Sequence, residues 1–295
     1  MSGREGGGER EGGGKLSLVA TPIGNLEDIT LRALRILREA DAVLAEDTRR
    51  TRGMLTHHGI GTRLISVHEH TTGDKLEALT SELLGGARYA LVTDAGSPLV
   101  SDPGAALLER CVRSGITVEA IPGASAPIAA LSVAGFQVPS FEFVGFLPRS
   151  GSKRTKVLER LKAQAGAIVL FEAPGRIGDT LKDLSEVLGA QRSAAVCREL
   201  TKLHEEVVRG ELGELALRYA DVEVLGEITL VIAPDEHAGE APEVDAAEID
   251  ARIDAGLDAN ESARDLAKAL AEQLGLPKRE IYERVLARRS ARAPS

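Results

Sequence analysis

Three loops rich in small residues are the clearest candidates for binding a ligand. They cover residues 21–25 (TPIGN), 94–104 (DAGSPLVSDPG) and 121–126 (IPGASA), and each follows an apolar segment. Glycine and alanine let a ligand approach the backbone closely, and proline fixes the shape of a loop. Ligands of open parallel sheets bind beyond the carboxyl ends of the strands, where such loops lie. Ordinary turns of α/β proteins have the same composition, so the ligand remains one of two interpretations.

The charges of these loops narrow the class of ligand. None of the three contains Lys or Arg, and the chain has no GxxxxGK[ST] segment, so a triphosphate would lack a cationic partner. Asp94 and Asp102 would instead tolerate a ligand with a positive centre. S-adenosylmethionine, which carries an adenine, a ribose and a sulfonium, fits a site of this composition.

Metal binding and disulfide bonds are disfavoured by the Cys and His pattern. Cys111 and Cys197 lie far apart, without the spacing of a zinc site. His68 and His70 would face the same side of a strand, but no Cys lies near them. We therefore expect no metal, and a hydrogen-bonding role toward a substrate stays open for these two histidines.

The elements that position these loops follow an alternating pattern of strands and helices. It predicts an α/β fold with two domains of mostly parallel sheets, over 15–138 and 139–234, in which 139–149 joins the two. A helix begins near Thr30, and another covers 153–165. The predicted strands of the first domain are 16–20, 41–45, 64–67, 89–93 and 116–121, and those of the second are 167–171, 193–196 and 227–233.

The two ends of the chain differ from this pattern. Residues 1–14, mostly Gly, Arg and Glu, predict a disordered tail without the apolar stretch of a signal peptide. An acidic linker over 235–246 precedes a helical module over 247–295. The uncharged stretch 121–141 is interrupted by prolines, which disfavours a membrane span. We expect a soluble, cytoplasmic protein.

The overall composition argues against nonspecific binding of nucleic acid by the whole surface, although it leaves room for local basic patches. The 295 residues carry a net charge of −9 and include five Phe, three Tyr and no Trp. An aromatic platform for a run of unpaired bases is therefore not expected. Basic side chains nevertheless cluster in 147–162 and 278–295, and the candidate RNA contacts are Arg149, Lys153, Arg154, Lys156, Lys278, Arg279, Arg288 and Arg289.

Eight ordered segments carry a resemblance to one family. They are VATPIGNLEDI (19–29), AEDTR (45–49), HEH (68–70), TDAGSPLVSDPG (93–104), IPGASA (121–126), GFLPR (145–149), ELTK (199–202) with EEVVRG (205–210), and GE (226–227). In order and spacing they resemble the ribosomal RNA small subunit methyltransferase I family, which has the tetrapyrrole methylase fold. The similarity covers about 15–234, and the helical end matches the small C-terminal module of the family.

The resemblance implies both a reaction and an assembly. Members methylate a cytidine 2′-hydroxyl in the decoding region of 16S rRNA, at cytidine 1402, with S-adenosylmethionine as donor and without a metal. The donor would lie in the cleft between the two α/β domains of a homodimer. The donor-binding residues expected on this basis and from the loops are Pro22, Gly24, Asp94, Gly96, Ser97, Val100, Asp102, Ser125, Ala126, Phe171, Glu172, Ala173, Lys202, Gly226, Glu227 and Ile228.

Candidate catalytic residues come from the same segments and leave the general base unassigned. They are Glu46, Asp47, Arg49, His68, Glu172 and Lys202, with His70 and Glu205 as further titratable groups. A Lys202 ammonium would stabilise a developing alkoxide, or it would simply form a salt bridge with Glu199 or Glu205. Asp47 would act on the substrate or cap the following helix, and Arg49 would contact RNA or lie on a solvated helix face.

The chain departs from the family pattern at a few positions. Thr71 and Thr72 follow HEH where Asn and Glu are usual, and Ser97 stands where Thr is commoner. The family segment YESPHR is FEAPGR here, so Gly175 provides no acid, base or ligand.

The sequence leaves two alternative functions open. One is a methylase of the same fold that acts on a tetrapyrrole or another small substrate, although a tetrapyrrole site would favour cations for the many carboxylates of that ligand. The other is a nucleoside-binding protein that transfers nothing.

Overall fold

The computed structural model describes residues 13–98, 104–235, 246–259, 261–274 and 278–291. The chain divides into two compact units, Met1–Asp235 and Glu236–Ser295. Most of the predicted tail (1–12) and of the predicted acidic linker (236–245) lies outside the described residues.

The first sheet of the larger unit is fully parallel, as predicted. Its strands are β1 (Lys15–Val19), β2 (Ala42–Ala45), β3 (Leu64–Ser66), β4 (Arg88–Leu91) and β5 (Thr117–Ile121), in the order β3-β2-β4-β1-β5. Helices α1 (Leu31–Glu39), α2 (Thr48–His57), α3 (Gly73–Leu84) and α4 (Ala105–Arg113) lie between the strands along the chain. Thr30 caps α1 through a hydrogen bond from Ala33 N to Thr30 Oγ1 of 3.1 Å.

Both faces of this sheet are buried, which explains why its strands are apolar at nearly every position. Leu16, Leu44 and Leu91 share a core cluster with residues of α3 and α4. Val19 and Val43 point to the opposite face and pack with α1 and α2. Burial of each such side chain stabilises the fold by about 1.5–3 kcal/mol, so all the loops at the carboxyl ends of these strands rest on a rigid support.

The second sheet has five strands, of which the sequence predicted three. They are β6 (Phe141–Phe146), β7 (Ala167–Glu172), β8 (Ser193–Arg198), β9 (Glu206–Glu211) and β10 (Ile228–Ile232), in the order β6-β7-β10-β8-β9. Helix α5 (Ala126–Ala134) packs on one face of this sheet, and α6 (Gly151–Lys162), α7 (Ile177–Leu188) and α8 (Leu212–Tyr219) pack on the other. The segment 139–149, predicted only to join two domains, thus contains β6.

The prediction of a mostly parallel second sheet is wrong. Only the β6–β7 ladder is parallel, whereas β7–β10, β10–β8 and β8–β9 are antiparallel. The helical connections through α6, α7 and α8 each join strands of the same direction, as expected for crossovers. The short connection 199–205 reverses the chain between β8 and β9, and β10 then inserts between β7 and β8.

The smaller unit consists of three helices around its own apolar core. They are α9 (Ala246–Asp258), α10 (Ala263–Leu274) and α11 (Lys278–Ala291), and Ile253, Ala267 and Val285 are fully buried among them. Arg284 Nε lies 2.7 Å from Asp250 Oδ1, and Arg288 pairs with Asp250 and Asp254. Across the part of the chain that the structure describes, no helix is long and apolar enough to cross a membrane.

Candidate functional site

A cavity of about 350 Å³ lies between the two sheets of the larger unit. The first sheet contributes residues from the three loops of small residues, and the second contributes the carboxyl end of β7, the end of β8 and the start of β10. The lining residues are Ile23, Ala95, Gly96, Ser97, Ser125, Ala126, Pro127, Phe146, Phe171, Glu172, Ala173, Pro174, Cys197, Leu200, Gly226, Glu227, Ile228 and Thr229.

The first two loops are joined by their backbones. Thr21 N donates to Gly96 O at 2.9 Å, and Gly96 N donates to Thr21 O at 3.0 Å. The Thr21 hydroxyl donates to Thr93 O at 3.2 Å. Gly96 has φ +84°, a left-handed conformation that favours glycine. These contacts fix the wall of the cavity at the edge of the first sheet.

Strand alternation decides which side chains of the second sheet reach the cavity. Thr229 is in register with both Phe171 and Cys197, so the three side chains share one face. Burial raises the pKa of the Cys197 thiol to about 11, so this thiol stays protonated and forms part of an apolar wall. Glu172 and Ile228 point to the opposite face and offer the cavity their backbone.

The carboxylate of Glu172 is an anchor within the second sheet rather than a free base. Glu172 is 2% exposed, and its oxygens accept hydrogen bonds from Arg176 Nε at 2.7 Å, Thr180 Oγ1 at 2.6 Å and Ala173 N at 2.7 Å. These three hydrogen bonds hold the carboxylate on the helix side of the sheet, where it fixes the end of β7 and the start of α7.

The segment 199–205 forms a strained edge of the cavity. Glu199 and Thr201 have φ values of +51° and +64°, which costs about 1–3 kcal/mol for each non-glycine residue. Glu199 Oε1 accepts hydrogen bonds from Lys202 Nζ at 2.8 Å and from Glu227 N at 2.9 Å. Asn25 N donates to Thr201 Oγ1 at 3.1 Å, so the segment also joins the two sheets.

Lys202 is a cation held at this edge. Burial opposes its charge, but hydrogen bonds to Glu199 and Glu227 outweigh this effect and raise the pKa of Lys202. Lys202 Nζ lies 3.1 Å from Glu227 Oε2, and Glu227 lines the cavity. Lys202 therefore remains an ammonium at neutral pH, suited to stabilising negative charge and unsuited to accepting a proton.

A second polar group lies at the edge of the first sheet, where β2 and β4 end. Asp47 caps α2 by accepting a hydrogen bond from Arg49 N at 2.8 Å, and the side chain of Arg49, which is 91% exposed, also pairs with it. Hydrogen bonds from Arg49 hold the pKa of Asp47 below its usual value. Asp94 accepts a hydrogen bond from Asp47 N.

His68 and His70 follow β3 and are exposed. They lie beyond the strand in a turn, so the prediction that strand geometry aligns them is wrong. Their ring centroids are 6.3 Å apart. Among the described residues, no group of three or more His, Cys, Asp or Glu side chains is arranged to hold a metal.

Comparison with known proteins places this chain in a family. The family model for Tetrapyrrole (Corrin/Porphyrin) Methylases matches residues 15–216. Ribosomal RNA small subunit methyltransferase I of Halalkalibacterium halodurans is 44% identical over 236 residues, 80% of this chain and 81% of that protein. The enzyme of the same name from Thermotoga maritima is 46% identical over 223 residues, 76% of this chain and 100% of that protein. The chain belongs to the ribosomal RNA small subunit methyltransferase I family of tetrapyrrole methylases.

Solved structures with lower sequence identity support the same tetrapyrrole methylase fold. Uroporphyrin-III C-methyltransferase from Thermus thermophilus, solved in complex with S-adenyl homocysteine, aligns with a TM-score of 0.55 at 22% identity. The alignment covers 75% of this chain and 97% of that protein. Cobalt precorrin-4 methyltransferase aligns with a TM-score of 0.56 at 19% identity, over 74% of this chain and 94% of that protein. At these identities the likeness establishes the fold.

The structure brings together many of the donor-binding residues predicted for this methylase fold. Those that line the cavity are Gly96, Ser97, Ser125, Ala126, Phe171, Glu172, Ala173, Gly226, Glu227 and Ile228. Pro22, Gly24, Asp94 and Lys202 lie in adjoining segments without lining it, and Val100 and Asp102 lie outside the described residues. A Cβ on Gly24 would lie 2.5 Å from Lys202 Cγ, so Gly24 allows the segment 199–205 to approach.

Sequence reasoning missed eight lining residues of the methylase cavity. They are Ile23, Ala95, Pro127, Phe146, Pro174, Cys197, Leu200 and Thr229. Ile23, Ala95 and Pro127 are neighbours of predicted residues along the chain. Cys197 and Thr229 could be found only from the pairing of β7, β10 and β8, which the prediction of a parallel sheet did not contain.

The candidate RNA contacts of the methylase differ in their availability. Arg149, Lys153 and Lys156 are exposed, whereas Arg154 Nε lies 2.7 Å from Asp183 Oδ2 and its guanidinium also bonds to Thr180 and Pro148 O. Arg154 therefore has a structural role in the second sheet layer.

In the smaller unit, too, some of the candidate RNA contacts are engaged in ion pairs and others are exposed. Arg288 pairs with aspartates of α9, and Arg279 pairs with Glu283. Lys278 and Arg289 are exposed, without an ion pair to any described residue. RNA contact by these side chains remains a prediction.

Proposed function

We propose that this protein transfers a methyl group from S-adenosylmethionine to the 2′-hydroxyl of a cytidine in 16S rRNA. The observation that carries the proposal is the cavity between two sheets in a chain 44% identical to a ribosomal RNA small subunit methyltransferase I. The position in the decoding region, a homodimer and action in the cytoplasm on the small ribosomal subunit belong to the same proposal.

The lining of the cavity fits the methyl donor. Its volume of about 350 Å³ falls in the range of small-molecule sites. None of the described lining residues is Lys or Arg, so a sulfonium meets no repelling cation there. Gly96, which has no side chain, lines the wall, and Glu227 places an acidic residue at the edge. A tetrapyrrole with many carboxylates would find no cationic partner on the same walls.

The residues of the chain contribute position and charge to the reaction. S-adenosylmethionine would supply an electrophilic methyl group: the methyl–sulfur bond would break as the methyl–oxygen bond to the ribose forms, S-adenosylhomocysteine would leave, and the hydroxyl proton would pass to solvent water. Alignment of the reacting groups is worth about 7–11 kcal/mol of the barrier, so rigid loops such as the Thr21–Gly96 pair are a main contribution. Lys202, held as an ammonium by Glu199 and Glu227, stabilises negative charge on the oxygen. Glu172 contributes to position instead, because its buried carboxylate holds Arg176, Thr180 and Ala173 N within the second sheet layer.

RNA binding would use exposed cations outside the cavity. Arg149, Lys153 and Lys156 provide such charges at the start of α6, and Lys278 and Arg289 provide them on α11. Because the chain carries a net charge of −9, attraction of RNA phosphates depends on these local patches. Deletion of 246–295 is expected to weaken RNA binding while donor binding stays unchanged. Equal RNA affinity of the shortened protein would remove the smaller unit from the proposal.

The decisive experiment combines the protein with labelled donor and a defined substrate. The purified protein is incubated with radiolabelled S-adenosylmethionine and small ribosomal subunits from cells that lack it. Label in 16S rRNA at one alkali-resistant ribose supports both the reaction and the substrate. Donor binding by calorimetry without label in RNA would reject RNA methylation and favour a small-molecule substrate. Absence of donor binding would reject the assignment of the cavity.

A further inference from the structure

Phe146 is an aromatic side chain at the rim of the cavity that the proposed chemistry has not used. It lines the cavity and yet is 56% exposed. An exposed phenylalanine leaves apolar surface in water, where it gains nothing from burial. Its position at the cavity offers a planar ligand a free aromatic surface on which to pack.

A β-bulge in β6 aims Phe146 at this place. Phe143 pairs with Val169, but Gly145 pairs with Leu170 and Phe146 with Phe171, so one extra residue is inserted before Gly145. In a regular ladder residue 145 would stand opposite Phe171, and Phe146 would point to the other face of the sheet. Gly145 has φ +71°, which suits a glycine in a bulge. Bulges commonly redirect side chains next to active sites.

The rings of Phe171 and Phe143 support the orientation of Phe146 on the cavity face of the second sheet. The centroids of Phe146 and Phe171 are 5.6 Å apart with their planes tilted by 55°. Phe171 in turn packs edge-to-face on Phe143, with centroids 4.9 Å apart. These distances lie in the favourable range for aromatic pairs. The inner part of the ring is therefore held, and the exposed part faces outward from the cavity.

The charges that follow Phe146 indicate what kind of planar ligand it meets. Arg149 lies three residues further on, and Lys153 and Lys156 begin α6; all three are exposed. An exposed aromatic ring that is followed closely along the chain by three exposed cations matches a nucleotide, in which a base is joined to phosphates. The walls of the cavity itself carry no Lys or Arg among the described residues, so the phosphates belong on the rim.

We propose that Phe146 stacks on the base of the nucleotide that receives the methyl group. The inference rests on the proposed function, since it assigns the RNA side of the same site. The adenine of the methyl donor has the same planar chemistry, and the experiment separates the two. The exposed position of Phe146 favours the RNA base, because a donor enclosed by the cavity would contact the inner ring of Phe171 first.

The test compares Phe146→Leu, which removes the ring, with Phe146→Trp, which keeps an aromatic face. Stacking of one base on an aromatic ring predicts a loss of about 10- to 100-fold in kcat/KM for small subunits in Phe146→Leu. Phe146→Trp retains activity within a few-fold of the unmodified protein. Donor affinity by calorimetry stays the same in both. Phe141→Leu, on the same strand, 43% exposed and outside the cavity, is the matched control and keeps the full kcat/KM.

Two outcomes overturn the inference while the proposed function stands. Unchanged kcat/KM in Phe146→Leu shows that no base stacks there, and a parallel loss of donor affinity shows that the ring contacts adenine instead. Melting temperatures establish whether each variant is folded. If Phe146→Leu is not folded, Phe146→Trp decides whether an aromatic ring is needed at this position. If the unmodified protein transfers no label to RNA, the proposed function fails and the inference falls with it.

Discussion

Asp94 Oδ1 accepts a hydrogen bond from the backbone N–H of Asp47, with a donor–acceptor distance of 3.2 Å. Asp94 Oδ2 lies 3.4 Å from a guanidinium nitrogen of Arg50. Ala95, Gly96 and Ser97, directly after Asp94, line the cavity. One carboxylate thus connects the wall of the cavity with the start of α2, where Asp47 and Arg49 lie.

The first prediction concerns this connection. Asp94→Ala removes the acceptor for Asp47 N, and a hydrogen bond to a charged group is worth about 1.5–3 kcal/mol. We expect kcat/KM for small subunits to fall by roughly tenfold or more, while donor affinity changes much less. Asp94→Asn is expected to retain most of the kcat/KM, because the amide keeps an oxygen acceptor for Asp47 N. Loss of the ion pair with Arg50 contributes little, since the Arg50 side chain is 67% exposed. Equal loss in both variants would assign the effect to the charge.

The second prediction distinguishes an anchor from a base at Glu172. Glu172→Gln leaves Arg176 without its anionic partner and replaces one acceptor by a donor, so we expect a loss of about 1–3 kcal/mol in the free energy of unfolding. Denaturant unfolding measures this change, and the kcat of the folded enzyme falls by less than tenfold. A decrease in kcat of about 10²-fold or more at unchanged stability, which is the signature of a lost general base, would contradict the structural role.

The third prediction concerns the contact between Gly226 and Glu199. Gly226 has φ +94°, and a Cβ there would lie 2.4 Å from Glu199 Cγ. Gly226→Ala is expected to displace Glu199 and the edge of the cavity, which weakens donor binding in calorimetry by tenfold or more. Gly189→Ala is the matched control, because Gly189 has φ +98° and no atom near the added Cβ. The control loses about 1–3 kcal/mol of stability from backbone strain and keeps donor affinity.

The fourth prediction concerns pH. The hydrogen bond from Lys202, with that from Glu227 N, lowers the pKa of Glu199 in the folded protein. A carboxyl group with a lowered pKa stabilises the fold above its unfolded pKa, near 4.5, and this contribution is lost as the pH falls through the folded value. The melting temperature of the unmodified protein should therefore exceed that of Glu199→Gln at pH 7, and the difference should shrink below about pH 4.5. A constant difference down to pH 3 would contradict this account.

The sequence by itself determined the local elements and the three ligand loops. The first sheet could be predicted because each of its strands is an apolar run buried on both faces, and every connection between them is a helical crossover that requires parallel strands. The loops 21–25, 94–104 and 121–126 follow from the same rule, since parallel strands bring their carboxyl ends to one edge. Gly96, Ser97, Ser125 and Ala126 line the cavity for this reason.

Only the tertiary structure decided the second sheet and the roles of its side chains. The order β6-β7-β10-β8-β9 depends on the insertion of a late strand between two earlier ones, a contact between distant segments that local periodicity does not contain. That insertion sets Phe171, Thr229 and Cys197 side by side and turns Glu172 toward Arg176. One extra residue in β6 likewise moves Phe146 to the cavity face. Residue types identify which groups are able to react, but strand pairing and register decide which of them meet, because each step along a strand reverses the face.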